Sequence, residues 1–249
     1  MAEVIAGVRI PDSKLTQEAT DLLREYGTPL LFAHSLRVYL FGAIRGRHRK
    51  LTVDHELLYF GAVFHDLGLT TKYRSPDHRF EVDSANTARD FLRANGIDES
   101  TAGVVWDAIA LHTTPEIPWH KRPEIALVTG GVEADVLGDG LGEIPDGDRD
   151  AVLAAYPRID FRRGIVQAFS DGFAHKPVTA FGTMNTDVLE RTLPGYRRPN
   201  FCDLIAANPL EDGGPGHAPS TTPTGGRGAA LVADGGSHSI EENQRVQAD

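Results

Sequence analysis

Apolar residues in this chain recur every three or four positions, and the breaks between runs carry helix start and stop residues. Asp12 or Ser13 is placed to cap a helix through LTQEATDLLREY, which Gly27 ends. Thr28 caps a second helix with Pro29 at its first position, and Leu30, His34, Val38 and Phe41 mark its apolar stripe. Asp54 caps a third, HELLYFGAVFHD, stopping at Gly68, and a fourth runs from Phe80 to Ala94 before the turn Asn95-Gly96. A fifth runs from Asp98 through Val104, Trp106 and Ile109 to His112. Pro123 opens a sixth, EIALVTGGVEADVL, closed by Gly138. Residues 139–149 read as a loop, with helical patterns again at 150–156 and 160–175. Alternating β patterns are scarce, and there is neither a fixed-period repeat nor βαβ alternation. The predicted fold class is therefore all-α, in one domain over residues 10–205.

The pattern stops near Leu210. Residues 211–249 hold eight Gly, three Pro and only four of Leu, Ile, Val and Phe, too little apolar surface to offset chain entropy. This acidic Gly- and Pro-rich tail is expected to be disordered.

Composition narrows the functional classes. Apolar residues at 41% can build a core, and a net charge of −10 without a continuous basic stripe argues against nucleic acid as a main partner. No stretch suits a membrane span or an export signal, and the single Cys202, read as a buried thiol, excludes an internal disulfide. The expectation is a cytoplasmic protein with a small-molecule substrate, no membrane or nucleic-acid partner, and assembly into a homo-oligomer left open.

Chemistry concentrates at a few positions. His65-Asp66 ends an apolar helix inside GAVFHDLG, where an imidazole and a carboxylate can converge on one divalent cation. His34 stands on the apolar stripe of its helix, and Asp135 follows Leu127 and Gly131 at steps of four. Polar groups buried without partners cost kilocalories each, and a shared metal would neutralise these four.

The order H...HD...D resembles the HD-domain metal-dependent hydrolase superfamily, through AHSLRVY around His34, AVFHDLG around the pair and GGVEADVLG around Asp135. The resemblance covers residues 28–140 and implies an HD-domain helical bundle. It also implies that His34, His65, Asp66 and Asp135 bind one divalent metal ion, zinc first, with Fe2+ or Mn2+ also accepted by such a nitrogen and oxygen set. Within the superfamily, HRFEVDSANTARDFL, ALHTTPEIPW and PEIALVTGGVEADVLG resemble the cyanamide hydratase branch. That branch implies hydration of a small nitrile, cyanamide to urea, by a metal-activated water.

Where binuclear relatives carry a histidine, this chain has Glu81. That departure points to one metal and leaves Glu81, or the metal-bound Asp66, to transfer a proton. His112 and His120 are open to a second metal or to substrate, while His78 reads as a surface residue. Arg37 is a candidate for orienting carboxylates or binding substrate. Phe32, Phe64, Trp106 and Trp119 either wall a small pocket or belong to the core.

Two rival readings remain. A phosphohydrolase of nucleotides or other phosphate monoesters requires basic groups at the metal, with Arg37, Lys72, Arg74 and Arg79 available. A non-catalytic small-molecule-binding metalloprotein needs only the metal and a cavity.

Overall fold

A computed structural model of the chain describes residues 3–210. The disorder expected for 211–249 lies outside the described residues. These fall into two compact units that divide between Arg198 and Pro199. The first unit is helical. Its helices are α1 (Lys14–Tyr26), α2 (Pro29–His48), α3 (His55–Phe64), α4 (Phe80–Ala94), α5 (Glu99–Ala110), α6 (Pro123–Val132), α7 (Asp146–Ala155), α8 (Phe161–Phe173) and α9 (Asn185–Thr192). The second unit contributes α10 (Phe201–Ala206), started by Asn200, whose Oδ1 accepts from the Cys202 amide at 2.8 Å. Cys202 is exposed, not the buried thiol expected, because a six-residue helix without buried residues gives it no core to enter.

The predicted caps explain most boundaries. Ser13, not Asp12, starts α1 by accepting from the Thr16 amide, and the Thr28 hydroxyl accepts from Leu31 ahead of Pro29 in α2. Asp54 caps α3 through the amides of Glu56 and Leu57, and Asp98 caps α5 through that of Thr101. A hairpin of β1 (Val4–Ile5) and β2 (Val8–Arg9) precedes them, turning at Ala6 and Gly7, both at positive φ. Strands of two residues are too short to leave an alternating pattern.

Helix α2 is buried on every side from His34 to Gly46, so the predicted single stripe understates it. Its closest neighbour is α6. A Cβ at Gly131 would stand 2.1 Å from the Val38 carbonyl oxygen, and one at Gly42 would stand 2.5 Å from that of Leu127. Only glycine at these two positions lets the backbones meet.

Two apolar clusters result. The larger joins α1 to α6 around Tyr39, Tyr59, Phe60 and Phe64. The smaller gathers Leu31, Leu69 and Phe80 against Phe161, Ile165, Phe173 and Leu189 from α8 and α9. His34 packs on Phe161, ring centroids 5.3 Å apart, and His112 on Phe80 at 5.7 Å, so the imidazoles lie at the edge of the smaller cluster.

Candidate metal centre

Three ligand-type side chains converge where α2 passes the end of α3. His34 lies in the second turn of α2, while His65 and Asp66 follow α3 before a tight turn over Leu67–Leu69. One donor atom each from His34, His65 and Asp66 fits within a 4.8 Å span, with all three residues buried.

The hydrogen bonds fix the tautomers. His65 Nδ1 donates to the Ala62 carbonyl at 2.8 Å, and His34 Nδ1 donates to Asp135 Oδ2 at 2.6 Å. Each Nε2 therefore carries a lone pair, yet the two Nε2 atoms face each other at 3.2 Å. Lone pairs opposed this closely repel unless a proton or a metal ion lies between or beside them. A separation of 3.2 Å also suits two nitrogens that share one divalent cation. Asp66 supplies the second observation. Both its carboxylate oxygens are buried without a hydrogen-bond partner, with Oδ2 lying 3.3 Å from His65 Nε2 and 3.7 Å from His34 Nε2. An ionised carboxylate left bare in a protein interior is costly, and a divalent cation removes the cost.

His112 completes the group. It sits just beyond the end of α5, donates Nδ1–H to the Ile109 carbonyl at 2.6 Å, and turns Nε2 to within 3.8 Å of Asp66 Oδ1. Burial, and then the charge of His65, push His112 down to about 4, so its lone pair is available across the neutral range. Burial lowers His34 as well. Burial also opposes charge on His65, but Asp66 beside it outweighs this and raises the group above its ordinary value. Asp66 would be raised by burial, yet the surrounding imidazoles, His65 foremost, hold it well below the carboxylate range.

Asp135 is placed differently from the expectation. Its carboxylate stands on the Nδ1 side of His34, away from the converging Nε2 atoms, and is clamped by Arg37 through Nε to Oδ1 and Nη2 to Oδ2, both 2.8 Å. Arg158 adds a third bond, from Nη1 to Oδ1 at 2.6 Å. The stride of four along α6 and the π turn that follows it over Glu133–Leu137 does reach α2, with Leu127 against Gly42, Gly131 against Val38 and Asp135 against His34, and the Arg37 and Arg158 guanidiniums hold the carboxylate on the Nδ1 side of that ring. In this geometry Asp135 orients an imidazole rather than joining the shared point.

Glu81 is fully buried at the start of α4 and accepts from Arg79 Nη2 at 2.7 Å, Thr113 Oγ1 at 2.6 Å and Asn185 Nδ2 at 3.4 Å. Burial alone would raise it, but Arg79 holds it below its usual value, so it stays ionised and occupied.

A cavity of about 210 Å³ opens onto the cluster, lined by His34, Asp66 and His112 together with Thr113, Thr129, Val132, Val136, Phe169 and Met184. Its charged lining is acidic, from Asp66, Glu133 and Asp139, and no lysine or arginine is among the described residues around it. Of the four side chains read as touching substrate, His112 lines this cavity and Arg37, Phe32 and Trp106 do not. Arg37 is spent on Asp135, Phe32 packs edge-on to Tyr156, and Trp106 donates Nε1–H to Asn86 at 2.9 Å. Phe64 is core, Trp119 lies under Arg45 and Arg49, and His120 and His78 are exposed. Sequence reasoning passed over Thr113, Thr129 and Arg158. Single threonines on a helical pattern and an arginine in a loop leave no signal.

Residues 31–138 match the HD domain family. The match spans the segment that carries His34, His65, Asp66, His112 and Asp135, and it supports the HD-domain superfamily, whose members are generally metal-dependent hydrolases. No curated protein matches the chain.

Proposed function

We propose that this HD-type domain hydrates a small neutral nitrile, cyanamide to urea. The observation that carries the reading is the cavity: small, mostly apolar in its lining, and without a cationic side chain, directly over a buried imidazole and carboxylate cluster. A phosphate ester would meet the acidic groups Glu133 and Asp139 there, and the basic candidates are committed elsewhere. Arg37 holds Asp135, Arg79 holds Glu81, and Lys72 and Arg74 border a separate groove.

His34, His65 and Asp66 would hold the cation, with His112 Nε2 as a further donor and Asp135 fixing the His34 ring. A divalent cation there supplies Lewis acidity and brings a water's pKa toward neutrality. The chain's own groups do the rest. Asp66 Oδ1, on the cavity wall and free of hydrogen bonds, accepts the proton lost as water adds to the nitrile carbon and returns it to the nitrogen. Thr129 Oγ1, buried without a partner at the same wall, hydrogen-bonds the substrate's amino end. The apolar remainder excludes bulk water. Asp66 suits the proton transfer better than Glu81, whose oxygens are already engaged by Arg79, Thr113 and Asn185.

The reading is tested by stripping and restoring metal and then measuring urea formed from cyanamide. Metal-dependent turnover is expected, and a metal-replete protein that forms no urea would overturn the substrate assignment.

A further inference from the structure

A second cavity, about 260 Å³, lies beside the first, and Val136 and Leu137 form a wall common to both. Its chemistry is the reverse. Arg149, Arg158 and Arg162 line it with Asp135 as the lone acid, a local charge of +2 in a chain whose net charge is −10. Asp135 projects little charge into this space, because its oxygens are already taken by Arg37, Arg158 and His34. Arg158 is positioned from two sides, bonded to Asp135 and stacked 4.2 Å over the Phe161 ring. Arg149 is paired only with exposed acids of its own helix, Asp146 at 2.9 Å and Asp150 at 3.6 Å, which solvent screens. Arg162 is exposed and makes no ion pair among the described residues. The apolar part of the wall comes from Phe41, Leu141 and Leu153.

Three guanidiniums brought to one concave surface, offset beyond Asp135 only by the solvent-screened acids beside Arg149, are well placed to be joined by an anion. Guanidinium forks suit phosphate oxygens, and a dianion matches the +2 of the lining. We propose that this cavity, walled by α7, the start of α8 and the π turn after α6, binds a phosphate group. The site is distinct from the metal centre and independent of the reaction assigned to it.

The test is calorimetric titration of the metal-loaded protein with inorganic phosphate in mildly alkaline buffer, above the second pKa of the anion, where it is mostly divalent. Arg162→Ala and Arg149→Ala are run beside it, with metal content and circular dichroism confirming that each variant is folded and loaded. Arg162 is exposed and Arg149 half-buried, and neither is a member of the apolar clusters. One phosphate per chain is expected, weakened at least about tenfold by each substitution, since one lost charged contact is worth about 1.4 kcal/mol or more. Absence of saturable binding overturns the proposal. So does binding that either substitution leaves at full strength, because the phosphate would then rest on the metal or elsewhere.

Discussion

Asp135 carries more of the centre than its distance from the shared point suggests. Three side chains meet on its carboxylate, and the bond to His34 Nδ1 decides which nitrogen of that ring is free to bind. Asp135→Asn leaves the buried Arg37 guanidinium without its carboxylate and lets His34 change tautomer. Metal affinity is expected to fall about 10- to 100-fold. Stability is expected to fall by about 3–5 kcal/mol, the range for breaking a buried pair, as read by metal titration and urea unfolding. Glu81 has a signature in acid. Its folded pKa lies below the ordinary 4.5, so its contribution to stability is present above that value and is lost as pH falls through the folded one. In unfolding curves, Glu81→Gln should cost stability at pH 6, with the gap from the parent protein closing in more acidic solution. A gap that does not change with pH would remove the charge from the explanation.

The helices themselves were legible in the sequence because their ends are chemical: Ser13, Thr28, Asp54 and Asp98 cap, and Pro29 and Pro123 open, where the pattern placed them. The convergence of His34, His65 and Asp66 was legible too, since three polar groups on apolar runs require a common partner. The π turn was not, because a widened turn uses the same apolar spacing as the helix it interrupts, and the side of His34 that Asp135 takes was not, because it is set by Arg37 and Arg158 from elsewhere in the chain. The all-round burial of α2 escaped for a similar reason: amphipathic spacing describes one helix, while the number of neighbours depends on the others. Where α2 and α6 meet, Gly131→Ala would drive a methyl group into the Val38 carbonyl, tilting the helix that delivers Asp135. A loss of about 1–3 kcal/mol is expected in thermal unfolding, with weaker metal binding alongside. The same substitution at Gly103, where a Cβ meets nothing within 4 Å, is the control and should leave metal binding intact.

At the scale of the molecule, the cluster of imidazoles and carboxylates lies against the smaller of two apolar clusters, and folding it without a cation leaves Asp66 bare. Stability and metal binding are therefore linked. Added divalent metal should raise the unfolding midpoint in a concentration-dependent way, with about 2.7 kcal/mol gained at a hundred times the dissociation constant. Among the described residues, no helix is long and apolar enough to cross a membrane. The two neighbouring cavities differ in charge, with acidic groups over the imidazoles and basic groups beyond Asp135, on opposite sides of a wall formed by Val136 and Leu137.

The central claim is that His34, His65 and Asp66 hold a single cation, and elemental analysis of the purified chain beside its Asp66→Ala variant addresses it most directly. The account predicts one equivalent of divalent metal per chain, and next to none in a variant that is still folded. A metal-free parent protein, or a variant that keeps its full equivalent, would contradict it.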